Sequence, residues 1–84
     1  MAYALDITER AAAVVAAMDD ETHDRFVMAM LDLTADPHSQ GDAIGTEGPT
    51  VAERAMALGA SGLIVYTVDD AAARVRIVNI IWLA

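Results

Sequence analysis

The segment LIVYTVDDAAARVRIVNIIWL, residues 63–83, contains the two stretches of the chain that are most typical of β-strands. Leu63 to Val68 is almost entirely apolar and rich in β-branched residues, which favour strands. Arg74 to Leu83 is the second stretch, and Asp69-Asp70 with the following alanines has the composition of a hairpin turn. The segment therefore predicts an antiparallel pair of strands at the end of the sequence.

A third strand is predicted before this hairpin, from Thr50 to Leu58, and its pattern is the weakest. Its alanines and Met56 suit a helix as well as a strand, and Gly59 to Gly62 then forms a turn. Before it, His38 to Pro49 has glycines among polar residues, which indicates a loop. This loop lacks the GxxxxGK[ST] order of a phosphate-binding loop.

The first part of the chain predicts one strand and two helices. Tyr3 to Ile7 alternates between apolar and polar residues, as a half-buried strand does. Thr8 is a good N-cap for a helix over Glu9 to Met18. Asp19-Asp20 ends that helix and can cap a second one, from Glu21 to Ala35, whose apolar residues recur at helical spacing.

The predicted order is β-α-α-β-β-β, which places the chain in the α+β class. We expect two antiparallel helices packed on one face of a mostly antiparallel four-stranded sheet. At 84 residues the chain is expected to form a single domain over residues 1–84.

Composition limits the classes of ligand. The net charge is −8, there is no lysine, and the five basic residues are all arginines. Nucleic-acid binding relies on clustered basic residues, so duplex DNA and free RNA are disfavoured and a basic partner is favoured. The absence of cysteine, of a signal segment and of long apolar runs makes a soluble protein in the cytoplasm, away from membranes, the expectation.

Four local segments, taken in order, resemble the RelE/ParE toxins of bacterial toxin–antitoxin pairs. They are Thr8-Glu9-Arg10-Ala11 at a helix start, Leu31 to Pro37 at a helix end, Ile64 to Asp70 in the hairpin, and Val75 to Ile80 in the closing strand. The resemblance covers essentially the whole chain. It implies the β-α-α-β-β-β fold and an antitoxin as the partner.

The sequence departs from this family in its basic residues. The middle strands of the family typically read Tyr-Arg-Leu-Arg-Val-Gly and Tyr-Arg-Val-Ile-Tyr, and the arginine positions correspond here to Ala55, Ala57 and Leu63. Arg54 lies one position away. Ribonuclease members also carry His, Arg or Tyr after the last strand, where this sequence ends in Trp82-Leu83-Ala84. These basic residues orient RNA and stabilise charge on the phosphate, so cleavage of the family type is in doubt.

Four residues are candidates for a catalytic or RNA-binding role: Arg54, Tyr66, Arg74 and Arg76. Arg74 and Arg76 share one face of the last strand, because side chains alternate along a strand. They are candidates for an anion contact on the open sheet face, or solvated arginines that balance local acid, with no catalytic base evident beside them. Tyr66 is a site residue or a packed strand aromatic.

The last strand supplies the candidates for partner binding: Trp82, Ile80 and Asn79. Trp82 either covers the core or anchors an interface, since tryptophan is enriched at binding hot spots. Asn79 either marks an edge or site or is a satisfied structural amide. His23 and His38 match no ligand spacing and are interpreted as surface residues, so neither a metal ion nor a cofactor is expected.

Three functions remain open at this point. The first is a toxin-like protein that binds an antitoxin, a short helical protein with a neutral or basic contacting segment, and acts by binding a protein target such as gyrase. The second is a ribosome-dependent mRNA endoribonuclease of the RelE type. The third is a non-toxic interaction module or a homodimer.

Overall fold

The computed structural model describes residues 2–43 and 52–82, which form two helices and five strands. In chain order the elements are β1 (Ala4–Ile7), α1 (Glu9–Ala16), α2 (Asp20–Ala35), β2 (Asp42–Ala43), β3 (Ala52–Leu58), β4 (Gly62–Asp69) and β5 (Arg74–Trp82). None of the helices in this part of the chain is long and apolar enough to cross a membrane.

The sheet has the strand order β1-β5-β4-β3-β2. β1 runs parallel to β5, and every other neighbouring pair is antiparallel. The predicted α+β fold with a mostly antiparallel sheet is confirmed. The difference is β2, a two-residue strand inside the predicted loop, which pairs Asp42 with Ala55 and Ala43 with Arg54. Residues 44–49 of that loop, 50 and 51 of the third strand and 83 of the last lie outside the described residues.

The helix boundaries follow from capping. The Asp19 carboxylate accepts a hydrogen bond of 2.8 Å from the Thr22 amide, and it caps α2 from an extended backbone. Hydrogen bonding with the side chain of Thr22, and then with its backbone amide, lowers the pKa of Asp19. Because Asp19 is extended, α1 ends at Ala16, two residues before the predicted end at Met18, and α2 begins at Asp20.

The core lies between the helices and one face of the sheet. β4 buries every second residue, and its Ile64, Tyr66 and Val68 are almost fully buried. The other members of this cluster are Ala11 of α1, Phe26, Met30 and Leu33 of α2, Leu58 of β3, and Val75, Ile77 and Ile80 of β5. The other face of the sheet, which we call the open face, carries the alternate residues of the strands.

An irregularity in β5 changes which of its side chains point to each face of the sheet. Val65 pairs with Asn79 while Tyr66 pairs with Ile77, so Val78 is an extra residue, as in a β-bulge. The Thr8 hydroxyl donates to the Val78 carbonyl at 2.9 Å, and the Thr8 amide donates to the Ile77 carbonyl at 3.0 Å. The start of α1 is therefore tied to the irregular part of β5.

Replacing Thr8 tests this link. The same hydroxyl accepts the Ala11 amide at 3.3 Å as the N-cap of α1, so Thr8→Ala removes both bonds. We expect it to lower the free energy of unfolding by about 1–2 kcal/mol. Thr8→Ser keeps the hydroxyl and is the matched control. Equal midpoints for the alanine and serine variants in urea would contradict this role.

Candidate functional site

The open face is polar at one end. Arg76 lies there between Thr67 of β4 and Asp6 of β1, and Arg74 lies beside Asp69. As predicted, the two arginines share a face, and both are exposed. Together with Thr8, Thr67, Asp69 and Val78 they line an open depression of about 400 Å³.

Carboxylates accompany these arginines. Arg76 Nε donates to Asp6 Oδ2 at 3.0 Å, and Asp69 lines the same depression as Arg74. The parallel pairing of β1 with β5 brings the Asp6 carboxylate to Arg76. The two carboxylates offset the positive charge, and this makes the depression a poor site for a phosphate group.

The other end of the open face is apolar. One row across the strands reads Ala57, Leu63 and Ile81, and the next row begins with Ala55 and Val65. Ile81 is 39% exposed. We call these five residues the apolar end. The three positions at which the family resemblance implies arginine all belong to it.

Arg54 and Tyr66 meet on the helix side of the sheet, away from Arg74 and Arg76. Tyr66 is fully buried, and its hydroxyl donates to the Gln40 carbonyl at 2.6 Å. Arg54 Nε donates to that hydroxyl at 3.3 Å, and its Nη2 donates to the carbonyls of Gln40 and Gly41, both at 3.0 Å. The pair thus holds the segment that follows α2 against the sheet.

Gly41 makes this close approach possible. Its φ is +61°, and an added Cβ would lie 2.4 Å from the Ala55 carbonyl oxygen and 2.9 Å from the Tyr66 hydroxyl. A side chain would displace the segment from β3. The structural role of Tyr66 is therefore well defined, and it includes no contact with the open face.

A second polar cluster, which the sequence did not indicate, joins three segments. Tyr3 donates to Asp70 Oδ1 at 2.6 Å, and His38 Nε2 lies 2.7 Å from the same oxygen. The hydrogen bond raises the pKa of Tyr3, and the bonds from Tyr3 and His38 lower the pKa of Asp70. These exposed groups connect the start of β1, the segment after α2 and the β4–β5 turn. In residues 2–43 and 52–82 no three His, Cys, Asp or Glu side chains are placed to hold a metal ion.

The three predicted partner-binding residues lie in three different environments. Ile80 is only 4% exposed and packs in the core. Asn79 is half-buried on the open face, and its Oδ1 accepts the Ile80 amide at 2.9 Å beside the irregularity. Trp82 is 46% exposed and lies on the helix side over Gly62, where an added Cβ would stand 2.8 Å from the indole.

Trp82 stands between two depressions at the end of the sheet. One is lined by Ala13, Val14, Ala17 and Met18 around α1, with Asp19 at its rim. The other is lined by Glu21, Arg25 and the turn that connects β3 to β4. The indole is thus available to a partner from both sides.

Solved structures show the same arrangement of helices and strands. The archaeal RelE–RelB complex from Pyrococcus horikoshii has a chain that matches with a TM-score of 0.83 over 100% of this chain and 98% of that one, at 18% identity. The chain has the RelE toxin fold. The isolated RelE toxin of E. coli matches with a TM-score of 0.79 at 18% identity, over 99% of this chain and 86% of that one.

A third RelE-type match is the toxin–antitoxin complex RelBE2 of Mycobacterium tuberculosis, with a TM-score of 0.77 at 17% identity, over 98% of this chain and 99% of that one. No protein-family model matches the sequence, and no curated protein matches it significantly. The likeness to RelE therefore lies in the fold.

Tyr66→Phe tests whether the tyrosine hydroxyl is structural. Its loss leaves the Gln40 carbonyl without that donor, and we expect a loss of about 1–3 kcal/mol in the free energy of unfolding. Hydrogen exchange should also rise in residues 37–43. Tyr3→Phe, which removes an exposed hydroxyl, is the control and should change stability less. Unchanged stability and exchange in Tyr66→Phe would contradict the structural role.

Proposed function

We propose that this protein is the toxin-like component of a type II toxin–antitoxin system, that it binds a cognate antitoxin, and that it acts in the cytoplasm by binding a protein rather than by cleaving RNA. The RelE toxin fold supports the first part, since the matching structures from P. horikoshii and M. tuberculosis are complexes with an antitoxin. The apolar end of the open face is the observation that carries the second part.

The distribution of charge favours protein binding. RNA binding depends on cationic side chains that are available to phosphates. On the open face Arg76 is paired with Asp6, and Arg74 shares its depression with Asp69. Elsewhere Arg25 is paired with Glu21, and Arg54 is engaged with backbone carbonyls. Against a net charge of −8, this leaves the open face with little attraction for RNA.

Ribosome-dependent cleavage of mRNA is the second candidate, and Arg74 and Arg76 are the observation that favours it. They lie side by side in a depression that also contains the hydroxyls of Thr8 and Thr67 and the carboxylate of Asp69. Arginines stabilise developing phosphate charge, and a carboxylate can accept a proton. A non-toxic interaction module or homodimer is the third candidate, because the apolar end can bind a protein in either role.

Induced expression separates these functions. We expect growth arrest that co-expression of the adjacent gene relieves, and no cleavage of mRNA by the purified protein with or without ribosomes. Leu63→Asp should abolish the arrest because a charge in the apolar end prevents close apolar contact, whereas Arg74→Ala should not. Circular dichroism of both variants confirms folding. Ribosome-dependent cleavage that Arg74→Ala abolishes would establish the second candidate, and normal growth of the wild type would favour the third.

Trp82 is the proposed anchor for the antitoxin. Because the indole is half-exposed between two depressions, we expect Trp82→Ala to weaken antitoxin binding by about 2–4 kcal/mol, or roughly 30- to 1000-fold. Leu5→Ala is the matched control, since Leu5 is an exposed apolar residue of β1, which pairs with the end of β5 that lies away from Trp82. Calorimetric titration with the product of the adjacent gene measures both. Equal affinity of a folded Trp82→Ala variant would remove Trp82 as the anchor.

A further inference from the structure

We infer that the groove between α2 and β3 binds a basic amphipathic helix of the protein partner, an inference that rests on the proposed function for the identity of that partner. The groove has a volume of about 440 Å³. Ala29, Met56 and Leu58 form its apolar floor, and Asp24, Met28 and Asp32 form its wall on α2.

The outside of α2 carries apolar residues that nothing in the described part of the chain covers. Phe26 and Met30 are buried against the sheet, yet Met28 is 60% exposed and Leu31 is 59% exposed. From Phe26 to Leu31 every residue of α2 is apolar, and helical turns that are apolar all round are normally buried on more than one side. Exposed apolar groups of this kind mark an interaction surface when they line a groove, and Met28 does so.

The negative charges on α2 indicate that the partner segment is basic. Asp24, Met28 and Asp32 follow at intervals of four residues, so they form one line along the helix, with the two carboxylates about 12 Å apart. Within residues 2–43 and 52–82, neither carboxylate has a cation within ion-pair distance, and the nearby Arg25 is paired with Glu21 at 3.1 Å. A partner helix would complement this line if it carried an apolar residue opposite Met28 and a Lys or Arg four positions before and four positions after that residue, opposite the two carboxylates. A second copy of this chain bound through the same surface would instead place its carboxylates against these two carboxylates, which repel them.

The groove also continues towards Trp82. Arg25, Leu58 and Gly59 line both the groove and the depression next to the indole. A partner segment that contacts Trp82 can therefore extend along α2 into the groove. One partner can therefore occupy both the groove and the depression next to Trp82.

The inference is tested with a designed peptide of about four helical turns that has leucines on one face and lysines beside them. A peptide with the same leucines and with glutamates for the lysines is its control. We expect the basic peptide to bind the wild-type protein, the acidic peptide not to bind, and added salt to weaken the binding. No binding of the basic peptide, or equal binding of both, would overturn the inference.

Two pairs of variants locate the contact. Met28→Ala should weaken binding of the basic peptide roughly five- to thirty-fold, while Leu31→Ala, equally exposed on α2 but outside the groove, should change it less than about twofold. Asp32→Lys should weaken it by about tenfold, whereas Glu53→Lys, on the open face of β3, should not. Equal effects within either pair would overturn the groove as the site.

The same four variants are then measured against the product of the adjacent gene. If that product binds and the Met28 and Asp32 variants weaken it, both the groove and the proposed function are supported. If it binds and none of the variants matters, the groove is overturned and the proposed function stands. If it does not bind while the basic peptide does, the groove stands and the proposed function fails.

Discussion

One extra residue in β5 decides which side chains the sheet buries. Regular alternation from Val75 would carry Asn79 into the core and leave Ile80 facing solvent. The irregularity at Val78 instead turns Ile80 and Trp82 to the helix side and Asn79 to the open face. Thr8 fixes this arrangement from α1, and the Asn79 side chain supplies an acceptor for the Ile80 amide next to it. The position of Trp82 on the helix side and of Asn79 and Ile81 on the open face follows from this one extra residue.

The hairpin and the helices were predictable because their signals are local. Apolar, β-branched runs marked β4 and β5, and the capping residues Thr8 and Asp19 marked the helix starts to within one residue. The weak strand prediction for residues 50–58 is confirmed for Ala52–Leu58, where pairing with β4 outweighs the helical preference of the alanines.

The site was less predictable because it depends on contacts between distant residues. No local pattern shows that Asp6 pairs with Arg76, which is 70 positions away, or that Tyr3 and His38 share the carboxylate of Asp70. The strand β2 is too short to have a pattern of its own, and it forms where Arg54 and Tyr66 hold the preceding carbonyls. The irregularity at Val78 likewise has no signal in the sequence, so the sequence does not show that Ile80 faces the core and Asn79 the open face.

The groove and the apolar end lie on opposite sides of one sheet, and under the proposed function this limits how one antitoxin could cover both. The groove and Trp82 are on the helix side, whereas the apolar end is on the open face, and Ala57 of β3 belongs to both surfaces. Under the proposed function, a partner confined to the helix side would leave Leu63, Val65 and Ile81 accessible to a cellular target. The proposed antitoxin would then have to pass around the sheet, either past Ala57 or at Trp82, where Leu63 and Ile81 form the pair next to Gly62 and Trp82. Because the Gly62–Trp82 pair is next to the Leu63–Ile81 pair, an anchor at Trp82 would allow one extended chain to occupy the groove and cover the apolar end.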